Sequence, residues 1–273
     1  MTGVRLLVAA LVALALGGAA HAAPKRYYLA LGDSLAYGLQ PQKVDAGLPP
    51  SGFRTGYVDV FAARLRAIDP GVQVVNYGCP GESTKTFNAG GCPWLARGGR
   101  LHNAFRGSQL KAALAFLRAH PGAVSPITLT LWANDVSELD KTCAGDLACV
   151  RAHAPRALAQ FDARLGSIVG ALRAAAPKAD IVVTGSWNDD LTTFFQTDPL
   201  YRGLDTAIAR VTAHSKARFA KLLPVFDPPG PAARRARICA LTYTCSRDDS
   251  HPTDAGYRVI AAAVLAAAGY KHA

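Results

Sequence analysis

Residues 27–38 read YYLALGDSLAYG. An apolar run of strand character stops at Gly32, and Asp33 and Ser34 follow at once. Gly, Asp and Ser all favour turns. The stretch alone therefore fits a strand ending in a plain turn as well as a strand that delivers a nucleophile. The rest of the chain decides between the two.

Outward from this stretch, the 273-residue chain alternates two patterns. Short β-rich runs fall at 27–31, 72–76, 127–131, 181–184 and 222–226. Segments of helical periodicity fall at about 56–68, 108–119, 154–176, 201–221 and 253–268. Pro70-Gly71, Pro121-Gly122 and Pro177 stop helices ahead of the next strand. Strand–helix alternation predicts an α/β fold with a mainly parallel five-stranded sheet and helices on both faces. Half of the residues are apolar, enough for a sizeable core, and no repeat or linker divides the chain. A single domain over 23–273 is expected.

In open α/β sheets, ligands bind at the carboxyl ends of the strands. Those ends carry Gly32-Asp33-Ser34, then Gly81 in NYGCPGES, then Trp132-Ala133-Asn134-Asp135, then Ser186-Trp187-Asn188-Asp189-Asp190. Asp248-Asp249-Ser250-His251 stands just before the last helical segment. Singly, each is a common turn or cap. Together they fill every role of a serine hydrolase: a hydroxyl, a base, an acid to orient the base, and donors for an oxyanion. The reading assigns Ser34 as nucleophile, His251 as base and Asp248 as acid, because an i, i+3 turn would fold Asp248 back onto the ring. Asp249 is the rival acid. The backbone N–H groups of Ser34 and Gly81 and the Asn134 amide are the expected oxyanion donors.

These blocks resemble the SGNH hydrolases, also called the GDSL esterase/lipase family, in order and over nearly the whole chain after residue 26. Gly32-Asp33-Ser34-Leu35, Gly81, Asn134-Asp135, and Asp248 with His251 match the family's four blocks. The resemblance implies a three-layer α/β/α flavodoxin-like sandwich and ester hydrolysis without a cofactor or metal. One position departs from the pattern: Trp132 stands where the third block usually has glycine. It either narrows the pocket beside the oxyanion hole or packs as core. The Gly-x-Ser-x-Gly elbow of α/β-hydrolases, a Walker A motif and a post-strand GxGxxG are all absent from the sequence.

Leu6 to Leu16 is an unbroken apolar run, and Ala20-His21-Ala22 follows as an A-x-A site. Residues 1–22 are expected to be a secretory signal peptide. The protein is then secreted, with periplasm or cell surface as the alternative location. Cys79, Cys92, Cys143, Cys149, Cys239 and Cys245 are an even set, expected to form disulfides. Six cysteines allow 15 connectivities; local pairing, 79–92, 143–149 and 239–245, brackets one short loop each. The net charge of +11 favours peripheral contact with anionic surfaces. No nucleic-acid signature accompanies it, and a monomer is the default expectation. Phe194 and Phe195, in the long stretch after the fourth strand, are candidates with Trp132 for an acyl pocket. The substrate is expected to be a small-molecule or lipid ester. A carbohydrate O-acetyl ester is the alternative, acyl transfer to an alcohol uses the same acyl-enzyme, and a non-catalytic binding module is the remote reading.

Overall fold

The computed structural model describes residues 23–270. The signal-peptide expectation falls outside them.

β1 (Tyr27–Gly32) is the strand of the opening stretch, and a single helical turn, Ser34–Tyr37, follows it. Helix α1 (Tyr57–Ile68) leads to β2 (Gln73–Asn76), and α2 (Gln109–Ala119) leads to β3 (Val124–Thr130). Helices α3 (Ala133–Cys143) and α4 (Leu147–Ala175) precede β4 (Ile181–Thr184). Helix α5 (Phe194–His214) precedes β5 (Arg218–Ala220). Last come α6 (Pro231–Leu241), the short strands β6 (Thr242–Tyr243) and β7 (Asp249–Pro252), and α7 (Asp254–Ala268).

The five main strands pair in parallel in the order β2-β1-β3-β4-β5. Successive strand residues face opposite sides of a sheet, and β1 shows it. Tyr27 meets Phe116 of α2, while Tyr28 meets Phe61 of α1. Helices α1 and α7 pack together on the Tyr28 side; α4 packs with α2 and α5 on the other. All seven residues of β3 are buried, as a central strand covered on both faces requires. The result is the three-layer α/β sandwich. Its strand order reverses direction between β1 and β3, so the crevice at their carboxyl ends is where a ligand site belongs.

Three elements differ from expectation. The run at 222–226 is a helical turn, Leu223–Phe226, and the edge strand is Arg218–Ala220. The preceding helix stops at His214 because Lys216 takes a left-handed conformation (φ 51). Ala217 N–H then bonds Thr212 C=O and Lys216 N–H bonds Ala213 C=O, a Schellman closure usually built on glycine. Residues 133–143, outside the helical segments read from the sequence, form α3. Residues 194–200, expected as loop, form the start of α5, with Pro199 inside the helix.

All three disulfides are local: Cys79–Cys92, Cys143–Cys149 and Cys239–Cys245. Arg234, from the basic run 234–237, is buried and makes a two-pronged ion pair with Asp198 of α5. Asn188 donates to the same carboxylate, so this cluster ties the chain after β4 to α6. Among the described residues no helix is long and apolar enough to cross a membrane.

Candidate active site

Ser34 opens the helical turn that follows β1. Asp33 caps that turn, its Oδ1 accepting from Leu35 N–H at 2.9 Å. As the first residue of the turn, Ser34 has an amide with no helical carbonyl to bond, so it is free to face a ligand.

β7 pairs antiparallel with β6, and this small hairpin carries the histidine. His251 Nε2 lies 2.9 Å from Ser34 Oγ, across 217 residues of sequence. Its other ring nitrogen, Nδ1, lies 2.7 Å from Asp249 Oδ1. The same oxygen accepts from His251 backbone N–H at 2.9 Å.

The expected acid is therefore corrected: Asp249, not Asp248, reaches the histidine. The i, i+3 argument assumed a turn. Residues 249–252 are instead extended, and in an extended chain residues i and i+2 share a side. Asp248 sits in the left-handed region (φ 54), where it ends the Thr244–Arg247 turn. Its backbone redirects the chain into β7, and its N–H bonds Thr244 C=O. Burial alone would raise the Asp249 carboxyl, but hydrogen bonds and charge from His251 outweigh it and hold the group below the usual carboxylate range.

Gly81 lies in the loop after β2, which the Cys79–Cys92 bridge closes. Its φ of 88 suits glycine, and an added Cβ would stand 3.0 Å from Pro93 and 3.1 Å from the Arg97 guanidinium. Asn134 is in the first turn of α3, and its amide donates to Glu82 C=O at 2.9 Å. An asparagine amide has two N–H donors, so one is held by the Gly81–Glu82 loop and the other remains for a ligand. The carboxyl ends of β1, β2 and β3 thus bring Ser34, Gly81 and Asn134 to one crevice.

Beneath this crevice lies a group of buried carboxyls. Burial pushes Asp33 up to about 8 and Glu82 up to about 7. Burial also raises Asp135, which accepts from Thr84 N–H and Thr84 Oγ1. Oδ2 of Asp33 and Oε1 of Glu82 have no hydrogen-bond partner among the described residues. Gln109, which sequence reasoning did not single out, reaches into this group from α2. A lone glutamine on an amphipathic helix gives no sequence signal of such a role.

A cavity of about 510 Å³ reaches Ser250, the neighbour of His251, and is walled by both polar and apolar side chains, among them Trp132, Leu139, Asp140, Asp189, Leu200 and Tyr201. Trp132 is only 4% exposed; it packs edge-on against Trp187 and Tyr201 and also forms part of the cavity wall, so the pocket and core readings both apply. Phe194 and Phe195 do not line this cavity, which corrects their pocket assignment. Phe194 turns inward under the Arg234 guanidinium, while Phe195 stacks on it and is 71% exposed. Burial raises Asp189, opposed by its bond to Thr244 and the nearness of His251.

A hydroxyl, an imidazole and a carboxylate in one hydrogen-bonded line, beside a crevice of donors on a parallel sheet, define a hydrolase of the nucleophilic-serine class. Residues 30–259 match the GDSL-like lipase/acylhydrolase family, and the chain belongs to that family of carboxylic ester hydrolases. No curated protein matches the chain. Among solved structures, phospholipase A1 from Streptomyces albidoflavus NA297 is similar at 20% identity, covering 89% of this chain and 100% of its own, with a TM-score of 0.58. An extracellular lipase from Streptomyces rimosus is similar at 17% identity, covering 88% and 99%, with a TM-score of 0.58. A catalytic mutant of an acetylxylan esterase from Geobacillus stearothermophilus is similar at 17% identity, covering 92% and 97%, with a TM-score of 0.57.

Proposed function

We propose that the protein hydrolyses carboxylic esters through an acyl-enzyme on Ser34, with His251 as general base and Asp249 as its orienting acid. The observation that carries this is the continuous line Ser34 Oγ–His251–Asp249, at 2.9 and 2.7 Å. His251 Nε2 takes the proton from Ser34 as Oγ attacks the ester carbonyl. Nδ1–H donates to Asp249, which fixes the tautomer that leaves Nε2 free to accept. The carbonyl oxygen, now an oxyanion, sits among Ser34 N–H, Gly81 N–H and the second Asn134 N–H. Loss of one such donor typically costs about 3–4 kcal/mol of barrier. His251 then protonates the leaving alcohol. Water, deprotonated by the same nitrogen, releases the acid and restores Ser34.

The substrate reading is an acyl lipid or short-chain ester. A sugar O-acetyl ester is the second reading, supported by the carboxylates of Asp140, Asp189 and Asp190 among the otherwise largely apolar residues of the cavity that reaches Ser250. Three disulfides and the apolar leader pattern support action outside the cytoplasm. The charge of +11 supports peripheral contact with anionic surfaces by a monomer.

The test is turnover of p-nitrophenyl esters from acetate to palmitate, and of acetylated xylan oligomers, by the parent and Ser34→Ala. Turnover lost in Ser34→Ala, with stoichiometric fluorophosphonate labelling of the parent, supports the mechanism, and the chain-length profile separates the substrate readings. A folded parent that neither turns over an ester nor takes the label refutes it.

A further inference from the structure

The carboxyl end of β1 is held by a side chain where a strand would be expected. In the β1–β2 ladder the register runs from Tyr27 with Gln73 to Ala30 with Asn76. β2 then turns away to form the Gly81 loop. Gly32, the last residue of β1, keeps one contact with that loop, its carbonyl accepting from Cys79 N–H at 2.9 Å. Its remaining edge is supplied by Gln109. Gly32 N–H donates to Gln109 Oε1 at 2.7 Å, and Gln109 Nε2 donates back to Gly32 C=O at 2.9 Å. The carboxamide thus stands in for one peptide unit of a neighbouring strand. Gly32 is also the residue that must lie flat against β3: a Cβ there would come within 2.1 Å of Thr130 C=O.

Gln109 does more than complete the strand. Nε2 also lies 3.1 Å from Glu82 Oε2, and Glu82 follows Gly81 directly. Glu82 C=O in turn accepts from the Asn134 amide. One fully buried side chain therefore joins Gly32, two residues before the nucleophile, to the loop bearing the second oxyanion donor and through it to the third. A carboxamide carries a donor and an acceptor side by side in one plane, as this junction requires. A carboxylate could not donate, and an alkyl chain could do neither.

We infer that Gln109 is a positioning residue for the oxyanion hole: it sets the Ser34 and Gly81 amides and the Asn134 side chain relative to one another. This rests on the ester-hydrolase reading above. It touches no reacting atom and acts through Gly32 and Glu82. A misplacement of about 1 Å in such a site can cost roughly 10²-fold in rate, and the loss should fall on the charged transition state more than on the bound ester.

The experiment compares the parent, Gln109→Leu and Gln109→Glu on one short p-nitrophenyl ester. Turnover by the parent and its loss in Ser34→Ala test the underlying reading separately, so a failure there is told apart from a failure here. For Gln109→Leu, kcat should fall about 10- to 100-fold with KM within about threefold. A folded Gln109→Leu protein with kcat within twofold of the parent overturns the inference, as does a loss carried wholly in KM. Gln109→Glu decides the matter if the leucine variant does not fold. Its carboxyl can donate only when protonated, so its deficit in kcat relative to the parent should shrink as pH is lowered from 8.5 to 6. A deficit equal at every pH, or none at pH 8.5, overturns the inference.

Discussion

The identity of the acid can be tested by two asparagine substitutions one residue apart. In Asp249→Asn the shape of the side chain is kept and its charge removed. One oxygen, Oδ1, accepts from both His251 backbone N–H (2.9 Å) and Nδ1 (2.7 Å). The backbone donor cannot change role, so it should hold the asparagine oxygen, not its NH2, towards the ring. The histidine then keeps the tautomer that leaves Nε2 free, and the loss is of charge alone. Both side chains are under a third exposed. At an effective dielectric of about 40, between protein surface and water, unit charges 2.7 Å apart attract by about 3 kcal/mol. That attraction exists only once His251 has taken the proton, so it appears in the barrier as about two orders of magnitude in kcat. This is well short of the roughly 10⁴-fold loss when an asparagine imposes the wrong tautomer. Asp249→Ala removes the oxygen as well and should fall further. Asp248→Asn should stay within about threefold of the parent, since asparagine tolerates the left-handed conformation of that position. The assay is kcat on p-nitrophenyl butyrate at pH 8, with folding checked by circular dichroism. Loss in Asp248→Asn exceeding that in Asp249→Asn refutes the assignment, and a 10⁴-fold loss in Asp249→Asn refutes the argument about the pinned oxygen.

Other outcomes follow from the same geometry. Asp33 is held up to about 8, so it binds more protons folded than unfolded, and its contribution to stability declines as pH rises from about 4 to 8. Asp33→Asn keeps the Leu35 cap and removes the titration, so its Tm relative to the parent should climb across that window; a pH-independent difference refutes this. Replacing Cys79 and Cys92 by serine opens a loop with a sequence separation of 13, which should cost about 3 kcal/mol. It should also lower kcat, because Gly81 lies inside the loop, whereas the Cys143–Cys149 pair should change Tm with little effect on kcat. Arg234→Ala leaves the Asp198 charge buried beside Asn188 and should cost about 3–5 kcal/mol in urea denaturation, with part recovered in the double variant that also carries Asp198→Asn.

The parts of the fold legible in the sequence are those where local pattern and tertiary need agree. β1 and β4 are near-continuous apolar runs because both faces of the sheet are covered, and β3 is legible from Ile127, Leu129 and the β-branched threonines beside them. Helices α1, α2 and α7 carry a single apolar face. Legibility fails where a residue type acts against its habit. Lys216 occupies a position that usually calls for glycine, so the end of α5 and the edge strand shift. Pro199 reads as a break, yet α5 runs through it. Helix α3 (ANDVSELDKTC) is mostly polar and buries only Leu139 and Cys143, so it offers few apolar positions to mark it as a helix. In the site, Ser34, Gly81, Asn134 and His251 were marked by their places at strand ends and by the resemblance. The choice between Asp248 and Asp249 depended on whether four residues form a turn or a strand, and short polar sequences do not reveal that. Gln109 was invisible for a different reason: its role lies in what β2 leaves undone 33 residues upstream.

The span between Ser34 and His251 has a consequence for when the enzyme becomes active. Ser34 is made among the first residues of the domain, and its hydrogen-bonded partners His251 and Asp249 among the last. During synthesis the chain therefore carries a serine with no partner, as inert as any surface hydroxyl, for almost the whole of its elongation. The hairpin of β6 and β7 completes the catalytic line as α7 docks against α1 and the sheet. Reactivity towards a phosphonate probe is thus a report on completion of the domain, since a chain ending before residue 249 lacks both groups that would activate Ser34.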